Sequence, residues 1–124
     1  MPLGSQLYAT TGSAQIALAI LGDLALTVSA AGTTQGTATL LSASNSIVTT
    51  VGAGSGVRLP VTPTVSAGDR LHVANHGANT LTVYPPTGGK LSNRTANMPA
   101  LIAPNKSADF LCLNGTDYSA LLGA

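Results

Sequence analysis

The sequence predicts an all-β fold: a jelly-roll-like antiparallel β-sandwich of about eight short strands, preceded by an N-terminal arm. Three observations predict it. Short runs rich in Val, Ile, Leu and Thr recur along the chain, separated by Gly, Pro, Asn and Ser clusters, the pattern of a sandwich or barrel. Several runs alternate apolar and polar residues with period two, as half-buried strands do. And no stretch after residue 22 carries a three-turn amphipathic helix pattern. At 124 residues one domain is expected, with a single core.

Residues 1–22 form the expected arm, and residues 23–124 the sandwich. The arm holds one apolar run, Ala14–Leu21, which fits two templates. As a strand it places Ile16, Leu18 and Ile20 on one face; as a helix it places Ile16, Ile20 and Leu24 at four-residue spacing. At eight residues the run is too short for a membrane span, which takes about 20. Its apolar side chains, Ile16, Leu18, Ile20 and Leu21, are candidates for contact with a neighbouring protomer or another partner.

From Leu24 the strands follow in order. Leu24–Ala30 alternates Leu24, Leu26 and Val28 against Ala25, Thr27 and Ser29. Gly36–Ser42 and Ser46–Val51 are rich in Thr and β-branched residues, which suit a pleated surface. Gly52–Gly56, reading GAGSG, is expected to be a mobile connector. Val57–Pro60 is a short strand stopped by proline. Leu71–Pro85 reads as a β-hairpin: Leu71 and Val73, then Leu81 and Val83, flank a five-residue connection of Asn75–Asn79. A loop containing Pro99 and Pro104 follows. Lys106–Leu113 and Thr116–Leu122 form the closing strands around Asn114-Gly115, a tight-turn dipeptide. The expected core is Leu26, Val28, Leu71, Val73, Leu81, Val83, Phe110 and Cys112.

Composition narrows the function. Nine residues are charged, five Lys or Arg and four Asp, or 7%; an ordinary soluble domain carries about 25%. A surface of Thr, Ser, Ala, Gly and Asn can be covered by a partner at little desolvation cost. That points to life in an assembly. Net charge is +1, and five dispersed basic residues with four aromatics supply neither a basic stripe nor a stacking platform, so no nucleic-acid partner is expected. No membrane partner is expected either. Arg58, Arg70 and Arg94 are better suited to the rim of a protein interface.

No catalytic constellation is expected. The acids Asp23, Asp69, Asp109 and Asp117 sit beside turns or strand ends, where Asp stabilises loops. GAGSG lacks the central Ser of a nucleophile elbow and the Gly-Lys-Ser/Thr ending of a phosphate loop. His72 and His76, the only histidines, straddle the expected hairpin turn and lack further ligands, so neither a metal nor another cofactor is expected. Cys112 lies in the apolar run Phe110–Leu113, the setting of a buried, inert thiol.

The order Val57–Pro60, Ala67–Gly89, Ala96–Leu122 resembles capsid decoration (cement) proteins of tailed bacteriophages and related virion β-domains. The residues that carry the resemblance are Asn75, Gly77, Ala78, Asn79, Leu81, Val83, Tyr84 and Pro85 in the first motif. Asn105, Lys106, Ala108, Phe110, Cys112 and Tyr118 carry the second. The likeness spans about Leu24 to Leu122. It implies a structural protein on the capsid exterior that clamps neighbouring major capsid protein subunits and works as a homo-oligomer, a trimer. It would be made in the bacterial host cytoplasm. The alternative is a tail-fibre or receptor-binding β-domain for a host glycan, which wants surface aromatics and paired acids. A virion hydrolase domain would need a catalytic pair among the four acids, which is not expected.

Overall fold

A computed structural model describes residues 24–61, 65, 67–114 and 116–122. Among them the chain is all β. Its strands are β1 (Leu24–Ser29), β2 (Thr39–Leu40), β3 (Asn45–Thr50), β4 (Gly56–Arg58), β5 (Arg70–Asn75), β6 (Leu81–Tyr84), β7 (Ala100–Ile102), β8 (Ser107–Cys112) and β9 (Tyr118–Leu122). They form a five-stranded sheet, order β1-β3-β5-β8-β9, and a four-stranded sheet, order β2-β4-β6-β7. The expected arm, residues 1–22, lies outside the described residues.

Consecutive strands alternate between the two sheets as far as β6. Each then pairs in parallel with the strand one turn earlier: β1 with β3, β3 with β5, β2 with β4, β4 with β6. The chain winds in this way like a flattened β-helix. After β6 it reverses. β7 runs antiparallel to β6, β8 to β5 and β9 to β8. The expected antiparallel arrangement is therefore corrected in four of the seven ladders. Parallel neighbours need a crossover, and here the crossover is itself a strand of the other sheet.

The expected hairpin at Leu71–Pro85 is corrected for the same reason. β5 and β6 do not pair; they belong to different sheets, and residues 76–80 carry the chain from one to the other. Five residues can close a hairpin or bridge stacked sheets about 10 Å apart, and packing selects the bridge. The closing pair β8–β9 is antiparallel as expected, with Ala108 to Cys112 facing Leu122 to Tyr118.

Buried side chains from both sheets form one cluster that includes Val48, Val57, Leu71, Val73, Leu81, Val83, Phe110, Cys112 and Tyr118. Six of the eight expected core residues are in it, and Val28 packs against it half-buried. Leu26 is corrected: it is 61% exposed. The register of β1 on β3 is irregular between Ala25 and Val28. The phase of the alternation slips there, so Leu24 and Leu26 point outward while Val28 packs on the core.

Two loops are more ordered in kind than their composition suggests. GAGSG closes as a hydrogen-bonded tight turn. Ser55 donates both its backbone N–H (3.0 Å) and its hydroxyl (2.8 Å) to the Gly52 carbonyl, and Gly54 takes φ +75°. The connection from β6 to β7 is pinned by Leu91, which is fully buried and bridges to Tyr118. β2 is shorter than expected because the backbone N–H groups of Thr37 and Ala38 turn back onto the Thr34 carbonyl.

Candidate functional site: two opposed surfaces

The residues of the first motif build structure. Asn75, at the end of β5, is fully buried. Its Nδ2 donates to the carbonyls of Asn79 and Ile102, both at 2.8 Å, and its Oδ1 accepts from the Gly77 N–H at 2.9 Å. Its backbone N–H donates to the Lys106 carbonyl, and its carbonyl accepts from the Asn105 N–H. One asparagine thus ties the crossover to β7 and to the start of β8. Asn79 extends the tie by donating to the Val51 carbonyl at 2.8 Å. Gly77 lies so close to Val51 that a Cβ would stand 2.6 Å from its Cγ2.

The second motif is equally structural. Tyr118 is buried, and its hydroxyl donates to the Pro60 carbonyl at 2.6 Å. Burial holds its phenol well above the ordinary range, with the neighbouring Cys112 adding to the effect. Burial, then the charge of Asp69, pushes the Cys112 thiol up as well, and the thiol donates to the Asn114 carbonyl at 3.0 Å. Nucleophilic chemistry needs the opposite shift. Among the described residues no group of three or more His, Cys, Asp or Glu could hold a metal ion. No helix there is long and apolar enough to cross a membrane.

What the fold presents is two outward faces. On the five-stranded sheet, register places Leu24, Asn45, His72, Asp109 and Leu121 side by side in one row across all five strands. At its centre His72 Nδ1 and Asp109 Oδ1 lie 2.7 Å apart. Leucines stand at both ends: Leu24 is 58% exposed and Leu121 70%, with exposed Leu26 on the same strand as Leu24. The sequence placed His72 outward but missed its partner, because Asp109 lies mid-strand rather than at a turn and cross-strand register cannot be read from one strand.

The four-stranded sheet offers a groove. Leu40, Arg58 and Tyr84 lie side by side on β2, β4 and β6. Pro60, Val61 and Pro86 continue the walls, and the volume is about 240 Å³.

The three expected interface arginines are not brought together. Arg58 lines the groove. Arg70 is exposed at the start of β5, on the other sheet. Arg94 is in the β6–β7 connection, donating to the Pro99 carbonyl at 3.4 Å. Ile16, Leu18, Ile20 and Leu21 lie outside the described residues. Comparison with known proteins yields no match: no family model, no curated protein and no solved structure.

Proposed function

We propose that this chain is a non-enzymatic structural protein of a bacteriophage virion, built as a β-sandwich. It binds the outer surface of the capsid and clamps neighbouring major capsid protein subunits, as a homo-oligomer, most simply a trimer. The observation that carries this reading is the face of the five-stranded sheet. Exposed Leu24 and Leu26 at one edge and Leu121 at the other flank a row that holds a His–Asp pair, on a chain with only nine charges. Large exposed apolar side chains at both edges of a face of low charge suit an interaction surface, and sparse charge lowers the desolvation cost of covering it. The resemblance of the Asn75–Pro85 and Asn105–Tyr118 motifs to decoration proteins supplies the partner. Stabilisation needs no chemistry: a protein that binds only the closed shell shifts the equilibrium toward it.

The test is co-sedimentation of the purified protein with purified, DNA-filled capsids. Pelleting with capsids, at saturable stoichiometry, together with a higher temperature of capsid opening, is the expected result. Protein that stays in the supernatant at micromolar concentration overturns the proposal.

A further inference from the structure

The groove on the four-stranded sheet differs in chemistry from the leucine face. Arg58 is the only charged residue in the four strands of that sheet. It is half-buried, and its guanidinium makes no hydrogen bond or ion pair among the described residues. Around it Leu40 is 54% and Val61 43% exposed, beside Pro60 and Pro86. A cation set among apolar walls and unpaired among the described residues is free to meet a carboxylate. A guanidinium takes a carboxylate through two parallel N–H···O bonds. The flanking Leu, Val and Pro surfaces want an aliphatic neighbour on the same occupant.

We infer that this groove receives an extended segment of the capsid partner. Its Asp or Glu side chain pairs with Arg58, and an adjacent aliphatic side chain packs between Leu40 and Val61. The inference rests on the capsid-binding reading and deepens it. The two sheets enclose one core, so their outward faces are opposed, and a clamp needs two such separate contacts.

The experiment compares wild type with Arg58→Gln, Arg58→Glu and Arg58→Lys in capsid co-sedimentation at low and high salt, with thermal melts to show that each variant folds. Wild-type binding is expected to weaken as salt rises. Arg58→Gln should bind about tenfold more weakly and lose most of the salt dependence, Arg58→Glu should bind less still, and Arg58→Lys should fall between. Equal binding by wild type, Arg58→Gln and Arg58→Glu at both salts overturns the groove assignment and leaves capsid binding standing. A second arm needs no capsid. The isotope-labelled full chain is titrated with the peptide acetyl-Leu-Asp-Leu-amide while NMR shifts of Leu40, Arg58 and Val61 are followed. Saturable shifts with wild type that vanish in Arg58→Gln, and with the Leu-Asn-Leu peptide, support the groove even where capsid binding fails. No shifts, or equal shifts with sodium acetate alone, overturn a peptide-binding role.

Discussion

Asn75 shows how a polar side chain can hold an apolar fold together. Both of its amide hydrogens and its side-chain oxygen are used, on the 76–80 crossover and on β7. Asn75→Ala leaves the buried Ile102 carbonyl and two part-buried groups, the Asn79 carbonyl and the Gly77 N–H, unmet, and is expected to cost on the order of 3 kcal/mol in urea unfolding. Ser46 is the counter-example. It is buried, and its hydroxyl has no partner among the described residues. Ser46→Ala is therefore expected to leave stability unchanged or raise it by about 1 kcal/mol, and a lower urea midpoint would contradict that. Asp117 supplies the pH dependence. Its carboxylate accepts from the Asn114 side chain and from the Lys90 N–H, which hold its pKa below the ordinary value. A depressed folded-state pKa stabilises above the unfolded value, and the benefit is lost as pH falls through the folded one. Asp117→Asn should thus melt lower than wild type at pH 7, with the gap closing in strong acid. At this scale the sequence was half legible. Gly77 and Asn79 were expected in a connection and lie in one, but Asn75 was expected there too and instead ends β5 as a buried tie; its partners Ile102 and Lys106, like Val51 for Asn79, are distant in sequence.

Strands were legible and their partners were not. The expected runs at 24–30, 36–42, 46–51, 57–60, 71–74, 81–84, 106–113 and 116–122 each contain a strand, though that in 36–42 is only two residues long; β5, β6 and β8 also bury every second residue of the run, as one-sided burial requires. Direction leaves no such mark. A strand next to its sequence neighbour and a strand one turn away along a winding chain bury the same residues. β7 escaped notice because Ala100–Ile102 is three residues long and flanked closely by Pro99 and Pro104. The winding has a measurable signature. β3, β5 and β8 each have a paired neighbour on both sides, whereas β1 and β9 are edges among the described residues. Amides of β5 and β8 are expected to exchange near the global unfolding rate, and those of β1 much faster. Uniform protection across the five strands would count against this order. Gly77→Ala probes the crossover. The added methyl must displace Val51, and overpacking of that kind costs about 1–3 kcal/mol. A true hairpin tip in solvent would tolerate it.

At the scale of the molecule, the two sheets divide the labour. Their inner faces supply one core from Leu, Val, Ile, Phe and Tyr, so folding makes no demand on the leucines outside. Leu24, Leu26 and Leu121 remain largely exposed on the fold of a single chain, and four acids in 124 residues give it little charge to keep copies apart. Such a surface is either covered or a liability. The triple variant Leu24→Ser, Leu26→Ser, Leu121→Ser separates folding from assembly. Truncating core leucines typically costs about 2–5 kcal/mol each. Exposed sites away from the core usually fall within about 0.5 kcal/mol, so the variant should melt close to wild type. Light scattering should then show the variant as a monomer near the chain mass of 12.2 kDa, while wild type scatters as an oligomer at micromolar concentration. Capsid co-sedimentation should weaken in parallel. A variant that melts normally and still assembles and pellets like wild type would mean that the leucine face is not the assembly surface, whatever the groove around Arg58 binds.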